Sequence, residues 1–346
     1  MKVLVLGGTG LISGGIVTQL LARGAKVTTY SRHARRSDAS PGATSYTGGA
    51  AAGEISLLRG DRLDEARFVS SFEGSRYDVV IDMICFSPGD ARCTVRAFAG
   101  HCDQLIFCST VCTYGPGLPP HVLVDESFPQ LPVTPYGSGK AACERIFERA
   151  HDDGAFAVTI VRPSHTYGPG APLVDQLEGD SGTWDRIERG LPILCAGDGL
   201  GLWQSTHRDD CGKFFAHAAL NPRTYGEAYN ATGDAVFTWR DYYRQAAGAL
   251  GTRARLVFVP ASWLLSALPH RFGFLRETTR FHGAYSSAKA KAHVPEFRCE
   301  IEFAVGARET LADVRRRGAW RDSAGDVEYQ GLVERALGFG FSVEEA

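Results

Sequence analysis

The stretch KVLVLGGTGLI at residues 2–12 decides the fold of this chain. Its first half, Lys2–Leu6, is a short apolar run that predicts a buried strand, and the residues after the glycines predict a helix over Ser13–Arg23. Gly7 permits a tight turn between the two, and Gly10 lets the backbone come close to a bound group. Because the start of a helix favours negative charge, strand, turn and helix together predict a dinucleotide site that holds the pyrophosphate.

The glycine turn departs in one place from the usual spacing of small residues. Where a third glycine would let the helix pack closely on the strand, this chain has Ser13, followed by Gly14 and Gly15. Serine is small, so we expect the packing to survive with a slight shift. The alternative is a tight turn with a purely structural role. The residues predicted to contact the dinucleotide here are Gly7, Thr9, Gly10, Leu11 and Ile12.

Strands and helices alternate through the first half of the chain. Buried apolar strands separated by helices predict a doubly wound, Rossmann-type parallel sheet that is covered on both faces. The predicted strands are Lys2–Leu6, Lys26–Tyr30, Ile55–Arg59, Val79–Met83, Leu105–Ser109 and Ala157–Val161. The predicted helices are Ser13–Arg23, Glu65–Phe72, Cys93–Ala99 and Ser138–His151, and the predicted mobile surface loop is Ser37–Gly53.

Beyond Pro163 the pattern loosens into loops rich in proline and glycine, with shorter elements between them. The predicted fold class is therefore α/β, with a smaller C-terminal α/β lobe. We expect an NAD(P)-binding Rossmann domain at residues 1–162 and a substrate-binding lobe at residues 163–346. This division leaves room for part of the second range to return to the first sheet.

Composition and charge argue against several classes of protein. The chain has 346 residues, 44% of them apolar, and a net charge of −2, which gives no electrostatic reason to expect nucleic acid. Its nine cysteines are scattered, without C-x-x-C pairs or the Cys/His spacing of zinc sites, which argues against disulfides and metal. The first strand begins at Lys2, which leaves no room for a signal peptide, and no apolar run approaches a membrane span. We expect a soluble cytoplasmic protein without membrane contact.

The end of the second predicted strand bears on the choice of dinucleotide. An NAD site would usually place Asp or Glu there, but this chain has Arg32, with Arg35 and Arg36 close behind. An arginine can pair with a 2′-phosphate, so we prefer NADP without excluding NAD; a solvated basic loop is the alternative. Asp61, after the next strand, could accept a hydrogen bond from the adenine amino group. The cofactor contacts predicted in this region are Ser31, Arg32, Asp61 and Arg62.

The stretch YGSGK at residues 136–140 places Tyr136 and Lys140 four residues apart. A phenol, with a pKa of about 10, is a poor base at neutral pH. A lysine one helical turn later lies on the same face, where its charge favours the phenolate. Thr110, about two dozen residues earlier, could supply a hydroxyl to the same substrate oxygen. Beside a nicotinamide, these three side chains suffice to move a hydride and a proton on or off a carbinol.

The chain resembles an extended short-chain dehydrogenase/reductase of the NAD-dependent epimerase/dehydratase family, and the resemblance covers nearly all of it. Its supporting motifs follow one another in the family's order. They are the Gly7–Gly10 turn, Asp61, Ser109-Thr110 with Tyr114-Gly115, Tyr136 and Lys140, Arg162-Pro163 with Tyr167-Gly168-Pro169, Gly197-Asp198-Gly199, His207 with Asp209-Asp210, Tyr229-Asn230, and Thr238-Trp239.

The resemblance implies a role for each residue of the predicted site. Tyr136 would be the general base or acid, Lys140 would bind the nicotinamide ribose and tune Tyr136, and Thr110 would orient the substrate hydroxyl. Pro163 and His165 would border the nicotinamide carboxamide and the substrate. For His165, a loop histidine bonded to the backbone is the alternative. A homodimer is also implied by analogy with the family.

Two departures from the family pattern narrow the chemistry. The family's 4,6-dehydratases carry an Asp-Glu pair directly after the catalytic threonine, where this chain has Val111 and Cys112, which argues against dehydratase chemistry. Many sugar-nucleotide enzymes have an arginine four residues before the histidine of a His-x-x-Asp run. Counting back from His207 gives Trp203, which cannot pair with phosphate but could stack on a sugar or base. The predicted substrate contacts are Cys85, Thr110, Val111, Cys112, His165, Trp203 and, as substitutes for that arginine, Arg276 and Arg280.

Three function classes remain. The first is an NAD(P)-dependent epimerase of a sugar or sugar nucleotide that works by transient hydride transfer, and this is the class we expect. The second is an NADPH-dependent ketoreductase of a sugar or secondary metabolite, which Arg32 and Trp203 favour. The third is a non-enzymatic, nucleic-acid-binding relative, against which the net acidity and the intact set of Thr110, Tyr136 and Lys140 count. The expected partner is a small-molecule substrate.

Overall fold

The computed structural model describes residues 1–32, 54–116, 123–179 and 182–346. The predicted loop Ser37–Gly53, together with Arg35 and Arg36, lies outside the described residues. The strands are β1 Lys2–Leu6, β2 Lys26–Ser31, β3 Glu54–Arg59, β4 Tyr77–Asp82, β5 Cys102–Cys108, β6 Ala157–Pro163, β7 His165–Tyr167, β8 Ile193–Ala196, β9 Leu202–His207, β10 Glu227–Ala231, β11 Val236–Thr238, β12 Arg255–Val259 and β13 Val343–Glu345.

The helices lie between these strands and after them. They are α1 Leu11–Ala22, α2 Glu65–Ser70, α3 Pro88–Phe98, α4 Pro135–Asp152, α5 Gly182–Glu188, α6 Arg208–Ala218, α7 Trp239–Ala249, α8 Ala261–Ala267, α9 Ala288–His293, α10 Phe303–Arg316 and α11 Val327–Gly338. Shorter turns are the 3₁₀ segments Val111–Thr113, Pro222–Thr224 and Ser323–Gly325 and the π-helical turn Leu275–Thr279.

Seven strands form one fully parallel sheet in the order β10-β6-β5-β4-β1-β2-β3. The predicted doubly wound Rossmann-type sheet is confirmed. From β1 the chain winds outward in one direction and from β4 in the other, so the carboxyl ends of these two neighbours border a crevice. The glycine turn after β1 lies in it: a Cβ on Gly7 would lie 2.3 Å from Ile84 Cγ2, just after β4. The sheet therefore positions a ligand site at its topological switch point.

Helix boundaries follow local capping residues, and α3 shows this best. It begins at Pro88, five residues before the predicted start, because Ser87 and Asp90 form a capping box. Ser87 Oγ accepts a 3.2 Å hydrogen bond from Asp90 N, and Asp90 Oδ2 accepts one of 3.0 Å from Ser87 N. Helix α4 likewise begins earlier than predicted, since Thr134 caps it and Pro135 occupies its first position.

Helices α1 and α6 cover one face of the sheet and pack closely because glycines meet at their crossing. A Cβ on Gly15 would lie 2.4 Å from Arg208 O, and one on Gly212 would lie 2.5 Å from the carbonyl carbon of Gly15. Ser13 Oγ donates a 2.8 Å hydrogen bond to Gly7 O, so the serine is accommodated by a bond to the turn itself. Helices α3 and α4 cover the other face.

Two small sheets, β11-β9-β7 and β13-β12-β8, form the second half of the molecule around a core of aromatic side chains. Strand β10 leaves this half and pairs with β6 at the edge of the large sheet. All nine cysteines are free thiols. Within the described residues, no helix combines the length and apolar character needed to cross a membrane.

Candidate active site

Helix α4 starts against two backbone segments, and this contact fixes Tyr136. A Cβ on Gly137 would lie 2.5 Å from Cys112 O, and one on Gly139 would lie 2.6 Å from Phe86 O. Both distances are too short for any side chain at these positions. The two glycines of the YGSGK stretch therefore let the helix approach the ends of β4 and β5, which sets Tyr136 beside them.

Lys140 lies one turn further along α4 and is almost fully buried. Its Nζ donates a 2.6 Å hydrogen bond to Cys108 O at the end of β5 and lies 5.9 Å from the centroid of the Tyr136 ring. The rings of Phe86 and Phe107, with centroids 4.5 and 4.9 Å away, cover the ammonium group. Lys140 thus lies on the same side of the helix as Tyr136, as the spacing predicts.

Thr110 starts the 3₁₀ turn that follows β5, and its hydroxyl accepts a 3.2 Å hydrogen bond from Cys112 N. Tyr136 is 47% exposed, but desolvation of its hydroxyl at the site raises its pKa, and the nearby Thr110 hydroxyl lowers that pKa by a smaller amount. The phenol is therefore protonated at neutral pH. In this arrangement desolvation outweighs any lowering of the pKa by Lys140, and the tuning of Tyr136 by Lys140 stays a prediction. Thr110 and Tyr136 form a hydroxyl pair that can donate to one acceptor.

A cavity of about 330 Å³, here called the inner cavity, opens beside this hydroxyl pair. Its wall is built from the ends of β5 and β6, the start of α4, and residues of the second half of the chain. The predicted site residues in the wall are Ile12, Thr110, Val111, Cys112, Tyr136, Pro163, His165 and Trp203. The structure therefore unites the predicted catalytic hydroxyls with most of the predicted substrate contacts.

A smaller cavity of about 50 Å³, here called the outer cavity, adjoins the inner one and shares Trp203 and Tyr285 with it. The ionisable groups in its wall, apart from thiol and phenol, are Glu277 and His282. His282 Nδ1 accepts a 3.1 Å hydrogen bond from Leu202 N, an arrangement that requires Nδ1 to be unprotonated. Among the described residues, neither cavity wall contains a lysine or an arginine.

A third cavity, of about 350 Å³ and here called the dinucleotide cavity, lies at the switch point of the sheet. Gly10 begins α1 there, and no described side chain caps the N-terminus of this helix, which leaves it open to an anion. The predicted cofactor residues in its wall are Gly7, Thr9, Gly10, Ser31, Arg32, Asp61 and Arg62. The glycine turn and the ends of β2 and β3 are thus brought together as expected.

Arg62 lines this cavity, but its guanidinium group is committed to a buried ion pair. Nη1 donates to both carboxylate oxygens of Asp82 at 2.8 Å, and Nη2 donates to Asp90 O at 2.7 Å and to Thr94 Oγ1 at 2.5 Å. The sequence shows only that Arg62 follows Asp61. In the structure Arg62 joins β4 to α3 through Asp82, Asp90 and Thr94 and also lines the dinucleotide cavity, and its contact with the cofactor stays a prediction.

His165 and Trp203 form one side of the inner cavity. The two rings lie 5.5 Å apart, and His165 Nδ1 is hydrogen-bonded to Ser205 Oγ at 3.1 Å, so its partner is a side chain and not the backbone. Burial lowers the pKa of His165 to about 4, which makes the ring neutral near pH 7. Trp203 also stacks on Trp239, with centroids 4.8 Å apart. The wall here is aromatic and uncharged.

Several predicted residues lie elsewhere. Cys85 is fully buried in the core beside Cys143 and lines none of the three cavities. Arg276 Nη2 donates to Pro269 O at 2.8 Å, and Arg280 stacks over the ring of Phe281 at 4.7 Å. Neither arginine reaches the cavity walls, so they do not replace the missing phosphate handle. The remaining predicted residues outside the three walls are Leu11, at the first position of α1, and Lys140, behind Tyr136.

Sequence reasoning missed the wall that comes from the region after β12. Phe274, Thr278, Gly283 and Tyr285 line the inner cavity, and Val124 pairs with Tyr285 in a short parallel bridge. These residues belong to no recognisable motif. The π-helical turn that carries Thr278 is the kind of local irregularity found at functional sites, but it is not visible in a sequence.

A comparison with protein-family models matches residues 91–232 to the NAD dependent epimerase/dehydratase family. Among curated proteins, the chain is 30% identical to 2′-dehydrokanamycin reductase of Streptomyces kanamyceticus over 281 residues, which are 81% of this chain and 75% of that protein. The chain belongs to the NAD dependent epimerase/dehydratase family. The resemblance expected from the ordered motifs is therefore confirmed.

Other similar proteins have names that describe different activities. The Chloroplast stem-loop binding protein of 41 kDa b from Arabidopsis thaliana is 23% identical over 328 residues, which are 93% of this chain and 82% of that protein. The solved structure of UDP-glucose 4-epimerase from Bifidobacterium longum in complex with NAD⁺ and UDP superposes with a TM-score of 0.70 at 17% identity, and covers 93% of this chain and 100% of that one. At that identity the likeness supports the fold.

Proposed function

We propose that this chain is an NAD(P)-dependent carbonyl reductase that acts on a ketone of a small hydroxylated ring, such as a sugar or a secondary metabolite. One observation carries the proposal. The hydroxyls of Thr110 and Tyr136 meet at a cavity whose aromatic and polar wall has no lysine or arginine among the described residues. A neutral ring fits such a wall, whereas a diphosphate would lose its hydration without gaining a cationic partner.

The dinucleotide cavity fits a nicotinamide dinucleotide. The uncapped start of α1 and the glycine turn can hold the pyrophosphate, and Asp61 can accept a hydrogen bond from the adenine. Arg32, at the end of β2, supports NADP in preference to NAD because its guanidinium group can pair with a 2′-phosphate. The nicotinamide end would reach the inner cavity past Ile12 and Pro163, which line its wall.

Tyr136 can serve as the proton donor for reduction of a carbonyl. When bound, the reduced nicotinamide supplies a hydride to the carbonyl carbon. Tyr136 donates its phenolic proton to the carbonyl oxygen, and its raised pKa keeps that proton available at neutral pH. Thr110 holds the same oxygen through its hydroxyl. Lys140, fixed to Cys108 O, provides the positive charge that stabilises the phenolate left behind.

Epimerisation by transient hydride transfer is the second candidate, because the same three side chains serve it and the matching family model covers epimerases. An epimerase must hold the ketone intermediate while the ring presents its other face, which requires binding energy from a part of the substrate away from the reacting carbon. A diphosphate usually provides that anchor in sugar-nucleotide enzymes, and the described residues of the cavity walls offer it no lysine or arginine. We therefore propose a reductase in preference to the epimerase that we expected from the sequence. The similarity to 2′-dehydrokanamycin reductase supports the same order.

Elimination of water is not supported by the residues after Thr110. Val111 and Cys112 both line the inner cavity at the positions where the family's dehydratases carry carboxyl groups. Burial raises the pKa of Cys112, which makes its thiol a weaker acid than a carboxyl by several orders of magnitude. We therefore propose that the chain does not act as a 4,6-dehydratase.

The test uses purified protein with NADPH or NADH and a panel of ketones that includes 2′-dehydrokanamycin and UDP-4-keto sugars. A reductase consumes one reduced nicotinamide per molecule of alcohol formed, which ultraviolet absorbance follows directly. Tyr136→Phe should lower the rate by about 10²–10⁴-fold, while Tyr225→Phe, whose ring lies outside the three cavities, should not change it.

Two other outcomes would overturn the proposal. Interconversion of two alcohols without net consumption of nicotinamide, on dinucleotide that stays bound through turnover, would establish the epimerase. Binding of stem-loop RNA that survives Tyr136→Phe, with no dinucleotide bound, would instead establish the non-enzymatic relative.

A further inference from the structure

A buried ion pair lies directly behind the hydroxyl pair of the site. Arg162, next to Pro163 on β6, donates from Nε to Glu144 Oε1 at 3.1 Å and from Nη2 to Glu144 Oε2 at 2.5 Å. Glu144 follows Lys140 by one turn of α4. The side chains of Arg162 and Glu144 are only 6% and 1% exposed, so neither has solvent as an alternative partner. Such a bidentate pair fixes both the distance and the relative rotation of the elements that carry it.

The carboxylate of Glu144 has further partners, which tie it to β5. Ser109, the residue before Thr110, donates its hydroxyl to Glu144 Oε1, and Gln130 donates its amide to Oε2. One carboxylate therefore holds the strand end that carries Thr110, the helix that carries Tyr136 and, through Arg162, the strand that leads to His165. These are the segments that supply the reacting groups.

The same network extends to the opposite wall of the inner cavity. Arg162 Nη1 donates to the hydroxyl of Tyr114 at 2.9 Å, and that hydroxyl donates to Asn230 Oδ1 at 2.8 Å. The Tyr114 ring stacks on Tyr285, with centroids 6.1 Å apart and planes 25° apart. Asn230 Nδ2 donates to Ser286 O at 3.2 Å, directly beside Tyr285. The wall that sequence reasoning missed is thus linked to the catalytic helix.

We propose that Glu144 and Arg162 are a positioning pair for hydride transfer. Their ion pair fixes the positions of Tyr136 and Thr110 relative to each other and to Tyr285 in the wall of the inner cavity. The pair touches no reacting atom. The expected loss in kcat rests on the proposed function. The expected effect on the position of Tyr136 is independent of that function. A catalytic hydroxyl displaced by about 1 Å loses about 10²-fold in rate, so a loosened α4 would be costly even in a folded protein.

A single substitution would leave a buried charge without its partner and could unfold the chain for that reason alone. The informative variant is therefore the double substitution Glu144→Gln with Arg162→Met. It removes both charges, retains an amide oxygen that can accept from Ser109, and breaks the tie between α4 and β6. The control is Asp185→Asn, which alters a buried carboxylate in the second half that accepts from Ser323 N at 2.8 Å and from Trp320 Nε1 at 3.0 Å.

For the double variant we expect a folded protein with a Kd for NADPH within about threefold of wild type and a kcat lower by about 10²-fold. Asp185→Asn should lower the thermal midpoint and leave kcat unchanged wherever the protein is folded. A folded double variant with the kcat of wild type would overturn the proposal. If the double variant does not fold, Ser109→Ala decides: it removes one tie without exposing a charge, and a normal kcat in that variant would also contradict the positioning role.

A second measurement separates this proposal from the proposed function. Ultraviolet titration of each protein against its Tyr136→Phe counterpart isolates one phenol among the twelve tyrosines. If the ion pair positions Tyr136, the titration of Tyr136 should change in the double variant, since the phenol would lie in different surroundings. An unchanged Tyr136 titration would count against positioning even if wild type transferred no hydride, whereas a wild type inactive on every ketone would count only against the reductase.

Discussion

Gly139 and Phe86 meet across the start of helix α4: a Cβ on Gly139 would lie 2.6 Å from the carbonyl oxygen of Phe86. The contact joins helix α4, which carries Tyr136, to the loop after β4, which also borders the dinucleotide cavity. Because the neighbour is backbone, it cannot yield by changing a rotamer. The position of Tyr136 therefore depends on Gly139, three residues further along the helix, having no side-chain methyl group.

Gly139→Ala should push α4 away from Phe86 and lower kcat by about tenfold or more, with a loss of roughly 1–3 kcal/mol in the free energy of unfolding from overpacking. The control is Gly248→Ala in α7, where an added Cβ would meet nothing within 4 Å. That substitution should raise the free energy of unfolding by about 0.5–1 kcal/mol and leave kcat unchanged. Urea unfolding and steady-state kinetics check both. Equal effects of the two substitutions would show that helix propensity, and not the close approach, decides the outcome.

The pH dependence of the two reaction directions should differ, because burial raises the pKa of Tyr136. Reduction needs the phenol as an acid, so its rate should stay level through neutral pH and fall only as pH rises through the raised pKa. Oxidation of the alcohol needs the phenolate and should rise over that same alkaline range. Profiles of kcat/KM in both directions test this. If kcat/KM for reduction falls with a midpoint below about pH 10, the ordinary pKa of tyrosine, the raised pKa of Tyr136 is contradicted.

His165 should make the protein less stable in mild acid. Its folded-state pKa is lowered to about 4 by burial, whereas in the unfolded chain it is about 6.5. Between these values the unfolded state binds the additional proton, so the stabilising contribution is complete above about pH 6.5 and is lost as pH falls towards about 4. Urea unfolding at neutral and mildly acidic pH should show a smaller loss for His165→Asn than for wild type. Identical losses in the two proteins would assign the acid sensitivity to other groups.

Arg32→Ala should weaken the binding of NADPH far more than that of NADH, because only NADPH offers a 2′-phosphate to the guanidinium group. Loss of a charge-assisted pair with phosphate corresponds to roughly 1.5–3 kcal/mol, or about 10- to 100-fold in Kd. Arg92→Ala, an exposed arginine on α3 outside the three cavities, is the matched control. Fluorescence titration with both dinucleotides measures the ratio. Parallel losses for the two dinucleotides would show that Arg32 acts only through general charge.

The part of the fold that sequence could predict is the part determined by neighbouring residues. The run from Lys2 to Ile12 contains its own strand, turn and helix start, and the structure reproduces these elements within two residues. The start of α3 was missed because Ser87 and Asp90 act through hydrogen bonds to the backbone that hydrophobic periodicity does not register. Neighbouring residues were sufficient to predict an element where apolar spacing and capping residues indicated the same boundary.

The site was predictable where a motif fixed both a residue and its direction, and not otherwise. Thr110 and Tyr136 meet at the inner cavity because a strand end and a helix start are specified by local sequence. Arg62 lines the dinucleotide cavity, as its position after Asp61 predicts, but its ion pair with Asp82 was not predictable. Asp82 lies twenty residues further along and is brought near only by the order of the strands. Tyr285 reaches the cavity by the same kind of long-range packing, which a single sequence does not encode in any local pattern.

The return of β10 to the edge of β6 has a consequence for recombining this protein with its relatives. Residues 164–226, which supply His165 and Trp203 to the cavity wall, form an excursion between two hydrogen-bonded neighbours of one sheet. Because β6 and β10 are parallel, the excursion leaves at the carboxyl end of β6 and returns at the amino end of β10, where Glu227 pairs with Thr159, roughly 13 Å along the strand from Pro163. Both splice points of a chimaera therefore fall on one strand pair of the large sheet, at its opposite ends. The excursion also contains α6, which packs on α1 where Gly15 and Gly212 meet, so an exchange of this half of the pocket must retain glycine at position 212 to keep the dinucleotide half native. A chain cut after Pro163, by contrast, would expose the open edge of β6 to aggregation.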